Sequence, residues 1–215
     1  MSGSSSSVID LRKLLAERFP QSFVPRHARL TTELAPLDEA TGGGLPKSAI
    51  TEITSPHVSA GSASLIHALL GHAQRSHSFL ALVDGRDSFD PATAGDARLR
   101  HLLWVRCHQA SEAVKAGDLL LRDGNFPLVV LDLVLNTPDE LRRIPQTNWY
   151  RLQRLVEGTS VAFVVLTRRS MISSAQLKLI LNNQWRLADL DRDFAPARFQ
   201  ICVERRQGER LSQTA

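Results

Sequence analysis

Five short runs along this chain are dominated by apolar residues: 49–53, 79–83, 102–107, 127–135 and 160–166. The fourth, Pro-Leu-Val-Val-Leu-Asp-Leu-Val-Leu, is the most hydrophobic. Continuous runs without strict alternation predict strands buried on both faces, and therefore a parallel sheet covered by helices. Between them the period changes. Leu65, Ile66, Ala68, Leu69 and Leu70 recur as one helix face, and residues 110–121 and 149–157 also read as helices. Strand, helix, strand, helix predicts an α/β fold with a mostly parallel central sheet. Near the C terminus, residues 184–190 and 198–205 alternate in character around Asp191-Arg-Asp-Phe-Ala-Pro, which predicts antiparallel edge strands.

The chain opens differently. After a serine-rich tail, Ser7 can cap a helix on which Val8, Leu11, Leu14, Leu15 and Phe19 share a spacing, and Pro20 stops it. This amphipathic helix either packs on its own domain or docks on a partner. A segment punctuated by Pro20, Pro25 and Pro36 follows. The expected organisation is a tail, short helix and linker over 1–34, then one core domain over 35–215, with no internal repeat. At 215 residues the chain can bury a substantial core.

Composition narrows the class only slightly. The net charge of +4 is mildly basic, and much of the excess is local: Arg142, Arg143, Arg151, Arg154, Arg168 and Arg169 in one stretch, Arg205, Arg206 and Arg210 in another. Such runs are commonly solvated surface, and otherwise face an acidic or nucleic-acid partner. Cys107 and Cys202 have no metal-ligand spacing and read as buried thiols in a reducing cytoplasm. The start lacks a secretory pattern and no apolar run reaches membrane-spanning length, so a cytoplasmic protein is expected. His67, His72 and His77 are five apart, rotate around a helix and predict no metal site. Neither HExxH nor GxSxG occurs.

The segment Glu-Ile-Thr-Ser-Pro-His-Val-Ser-Ala-Gly-Ser-Ala-Ser at 52–64 lies between a strand and a helix, the setting of a phosphate-binding loop. Such a loop needs glycine at both ends, a lysine for the β/γ-phosphates and Ser/Thr for magnesium. Here Ser55 stands at the first glycine, Gly61 keeps the second, Ser62 replaces the lysine and Ala63 follows. The loop is one residue too long. Ser59, with Ser55, Gly61, Ser62 and Ala63, therefore marks a vestigial loop in which no cofactor is expected. Asp132, ending an apolar strand, stands where a Walker B carboxylate would be. Gly42-Gly43-Gly44 reads as a turn before a strand, not a dinucleotide fingerprint.

Over roughly residues 35–205 the pieces resemble the RecA family. Leu37-Asp38, Gly42-Gly43-Gly44-Leu45-Pro46-Lys47 and Ile50-Thr51-Glu52-Ile53 look like its approach to the phosphate loop. Val83-Asp84-Gly85-Arg86-Asp87-Ser88-Phe89-Asp90-Pro91 is similar to the segment after its next strand. Leu102-Leu103-Trp104-Val105 fits the following strand, residues 128–132 the Walker B strand and residues 164–167 the sensor strand. The resemblance implies a RecA-like P-loop NTPase core. It places Arg86 at the position of the glutamate that polarises the attacking water, and an arginine cannot be that base. With the lysine also absent, no ATPase activity is expected. The two DNA-binding loops of the family have short counterparts at 136–148 and 168–174, where Arg142, Arg143, Arg168 and Arg169 are candidates for a weak DNA contact.

A core of this size with degenerate nucleotide motifs looks like the ImuA proteins, also called SulA-like, of bacterial SOS mutagenesis. That resemblance implies a non-catalytic adaptor in translesion DNA synthesis, with RecA, an ImuB-like Y-family polymerase homologue and an error-prone replicative polymerase as partners. Leu11, Leu14 and Leu15 are the partner-binding candidates, because RecA relatives grip a neighbour through their N-terminal segment. The alternatives are a cell-division inhibitor of the SulA type, or a residual nucleotide- or DNA-binding module.

Overall fold

Four of the five apolar runs lie on strands that are buried along nearly their whole length, and the run at 102–107 does not. A computed structural model describes residues 28–57, 60–184 and 199–206. The expected N-terminal helix with Leu11, Leu14 and Leu15, the loop residue Ser59, most of the 184–190 strand, Asp191-Arg-Asp-Phe-Ala-Pro and Arg210 lie outside the described residues. The elements are β1 (Arg29–Leu30), α1 (Ala35–Thr41), β2 (Leu45–Pro46), β3 (Ala49–Thr54), α2 (Ser62–Arg75), β4 (Leu80–Asp84), α3 (Asp96–Leu99), β5 (Leu102–Arg106), α4 (Ala110–Asp123), β6 (Leu128–Asp132), α5 (Pro138–Arg142), α6 (Gln146–Glu157), β7 (Ala162–Thr167), β8 (Leu177–Leu181) and β9 (Ile201–Arg206).

Seven strands form one sheet in the order β5-β4-β6-β7-β3-β8-β9, parallel except for β9, which runs antiparallel to β8. Successive side chains alternate between two cores, as the strand period requires. Leu80, Leu82, Leu128, Val130, Val164 and Leu166 pack against α1 and α2 on one face. Ala81, Val83, Val129, Leu131, Phe163 and Val165 pack against α4 and α6 on the other. Three layers result, with β3 and β7 in the middle.

Five details differ from the sequence reading. β5 is the sheet's edge, and Leu103 is 38% exposed, so its apolar run is not buried on both faces. The strand expected over 79–83 begins at Leu80, and Phe79 is 53% exposed. The antiparallel partner of β9 is β8, a strand not expected at all. Cys202, expected buried, is exposed on β9, where outward side chains meet solvent, whereas Cys107 is buried. Residues 28–34, expected as linker, contribute β1, which pairs with β2, and Leu34 is buried against the core.

Glycine shapes the approach to β3. Gly42 ends α1 in the left-handed region at φ 77°, and Gly44 takes φ 123° with Leu30 O only 2.3 Å from where a Cβ would stand. The triple glycine is thus the tight turn before a strand that its sequence suggested.

Candidate functional site

The C-terminal ends of β3, β4, β6 and β7 converge on one edge of the sheet, where open α/β folds place their ligands. The β3–α2 connection begins with Ser55, whose N–H donates to Thr167 O at 2.7 Å and whose buried Oγ has no partner among the described residues. Gly61 turns the chain at φ 100°, and Ser62 and Ala63 are the first two helical residues of α2. Thus Ser62 stands in the first helical turn, where the sequence reading put the lysine position. The Ala60 carbonyl accepts from Asn183 Nδ2 at 2.7 Å, and Asn183 Oδ1 accepts from Gln200 N at 2.6 Å. Asn183 is buried, so the loop is tied to the approach to β9.

No lysine among the described loop residues replaces the missing one. Lys178, on the neighbouring strand β8, is committed elsewhere: its Nζ lies 2.9 Å from Glu52 Oε2 and donates to Ser170 Oγ at 2.7 Å. Glu52 is fully buried and also accepts from Met171 N at 2.7 Å and Ile172 N at 3.1 Å. This carboxylate pins the segment that follows β7. Sequence reasoning passed over it, although an ionisable residue inside a buried strand demands a partner.

Asp132 and Asp84 are register partners at the ends of adjacent parallel strands. Asp84 is buried and saturated, accepting from Ser88 N and Phe89 N, both at 2.7 Å, and from Arg86 N at 3.2 Å. It organises the turn after β4 and was not singled out from sequence. Asp132 accepts from Val134 N at 3.0 Å. Burial, and secondarily the Asp84 charge, push its carboxyl from 3.8 up to about 6. The folded state therefore holds the Asp132 proton more tightly than the unfolded chain, and stability falls as pH rises across that window and levels above it. Asp132→Asn is expected to raise stability by about 1–2 kcal/mol at pH 7.5, discounted for the side chain's remaining solvent contact, and by nothing near pH 3. Thermal melts at the two pH values check this.

Arg86 is exposed, and its guanidinium is engaged by neighbours. Its guanidinium donates to His108 O at 2.8 Å and lies 3.5 Å from Glu140 Oε1. Glu140 in turn accepts from Asn136 Nδ2, which also donates to Gly85 O, both at 2.9 Å. The ends of β4 and β6 and the helix α5 are thereby joined in one polar network.

Of the arginines named as DNA contacts, Arg142, Arg168 and Arg169 are brought to one groove of about 570 Å³, and Arg143 is exposed but does not line it. The stretch 136–148 is not a loop, contrary to expectation: it holds α5 and the start of α6. Thr137 caps α5 by accepting from Glu140 N, Pro138 occupies its first turn, and Asp139 and Glu140 favour its positive end. Among the described residues no three His, Cys, Asp or Glu side chains are grouped to hold a metal ion, and no helix is long and apolar enough to cross a membrane.

The chain is 33% identical over 121 residues to Protein RecA of Clavibacter michiganensis subsp. michiganensis, covering 55% of this chain and 32% of that protein. This core is RecA-like. The chain is also 33% identical over 110 residues to Protein RecA of Rubrobacter xylanophilus, covering 50% and 32%, and 35% identical over 100 residues to Protein RecA of Nostoc punctiforme, covering 46% and 28%. It spans about a third of the length of the curated relatives it matches. No protein-family model matches it. The β3–α2 loop, Asp132 at the end of β6 and the basic groove beside the end of β7 all lie on this RecA-like core.

Proposed function

We propose that this RecA-like chain is a non-catalytic adaptor of the bacterial SOS response and translesion DNA synthesis, of the ImuA kind, acting through protein–protein contacts. The observation that carries the reading is the first turn of α2, where Ser62 and Ala63 stand in place of the lysine–hydroxyl pair while Lys178 is spent on Glu52. Without a cation at the phosphates, the charge developing in phosphoryl transfer has no electrostatic clamp. Arg86, occupied by His108 and Glu140, supplies no base. The proposed partners are RecA, an ImuB-like polymerase homologue and an error-prone replicative polymerase.

Purified protein is expected to release phosphate from ATP at the background rate, with or without single-stranded DNA. Turnover that disappears in Asp132→Ala would overturn the reading. A second reading, a residual nucleotide-binding module, draws on one feature: α2 opens without a side-chain cap, leaving amides at its N terminus for an anion. Equilibrium binding of ATP distinguishes the two.

A further inference from the structure

We infer that the groove beside the end of β7 is a docking site for an acidic, apolar peptide segment of a partner protein. The inference rests on the adaptor reading and adds to it a surface and a chemistry. The walls are apolar: Pro56 after β3, Leu141 on α5, Ile144 before α6 and Met171 after β7. Arg168 and Arg169 line the same groove, and neither makes a salt bridge among the described residues. The Nε of Arg168 is buried and has no hydrogen-bond partner. An arginine with an unmet donor and no paired charge favours an anionic ligand, and a carboxylate in the groove can pair with its guanidinium. The volume of about 570 Å³ is that of an ordinary ligand cleft, ample for an apolar side chain between flanking carboxylates.

Three observations favour peptide over nucleic acid. No aromatic side chain lines the groove among the described residues, so bases have no stacking platform. The third arginine at the groove, Arg142, is paired with Asp139, which leaves only Arg168 and Arg169 without a salt bridge among the described lining residues, enough for a carboxylate or two but few for a run of phosphates. The segment after β7 is held by Glu52 through Met171 N and Ile172 N, which presents the two arginines in one geometry at little ordering cost.

The test selects binders from a displayed library of random dodecapeptides on the full chain, then measures synthetic versions by fluorescence anisotropy. Binders are expected to carry Asp or Glu beside Leu, Ile or Phe. They should bind Arg169→Glu about tenfold more weakly, and the Arg168→Glu/Arg169→Glu protein more weakly still. Arg169 is exposed, so the single variant should keep the wild-type melting temperature. Exchanging the peptide carboxylates for lysines should restore binding to the double variant. Binders without carboxylates, or with equal affinity for Arg169→Glu, overturn the proposal. So does an oligothymidylate whose binding depends on Arg169 and which displaces the peptides, since the groove is then a nucleic-acid site. ATP turnover measured on the same samples separates the two claims: hydrolysis sinks the adaptor reading, whereas lost peptide recognition sinks only the groove.

Discussion

Glu52→Ala is expected to destabilise the protein by about 3–5 kcal/mol, the usual cost of breaking a buried ion pair from one side. Three losses combine at this position. Lys178, with a side chain only 10% exposed, is left with an uncompensated charge. The amides of Met171 and Ile172 lose the carboxylate they donate to at 2.7 and 3.1 Å. A cavity also opens on the α4–α6 side of β3. Glu52→Gln separates these effects, because its carbonyl still accepts from the amides while the charge is gone, so a smaller loss is expected. Removing both ends together, as Glu52→Leu with Lys178→Met, should cost less than the sum of the single changes. Urea unfolding measures all of these, and a loss below about 1 kcal/mol for Glu52→Ala would refute the pinning role. Released from Glu52, the segment carrying Arg168 and Arg169 would also lose its fixed presentation at the groove.

The second large effect is expected at Gly85. A Cβ there would stand 2.3 Å from Asn136 Oδ1, 2.7 Å from Asp132 O and 3.0 Å from Leu133 Cδ2. The neighbours cannot simply retreat. Gly85 N donates to Asp132 O at 2.9 Å, and Asn136 Nδ2 donates to Gly85 O. Gly85→Ala should therefore cost about 2–3 kcal/mol, in the range of overpacked sites. Adding Asn136→Ala removes the closest atom but not Asp132 O, so only partial recovery is expected. A single variant melting like wild type would show that the ends of β4 and β6 pack less tightly than described.

Some of this was legible from residues alone. β3, β4, β6 and β7 announced themselves as apolar runs because strands in the middle of a parallel sheet have no solvent face. β8, Leu-Lys-Leu-Ile-Leu, escaped notice because Lys178 reads as a solvent position until its partner on β3 is known. The helix α5 was signalled by Thr137-Pro138-Asp139-Glu140, and the family comparison with a flexible loop obscured that local signal. β5 was misjudged because an edge strand and a central one can carry the same short apolar run, and only pairing order distinguishes them.

The sequence by itself determined the α/β class, the two alternating cores, the strand–loop–helix setting of residues 52–64 and the absence of a lysine from that loop. Those are local matters of period, residue type and spacing. The tertiary structure alone decided that Lys178 answers Glu52, that Asn183 holds the Ala60 carbonyl and that Arg142, Arg168 and Arg169 share a groove. Each joins residues far apart in the chain, and a buried charge or orphan donor declares only that a partner must exist. Which residue answers is decided when the sheet order sets β8 beside β3 and brings the ends of β3 and β7 together.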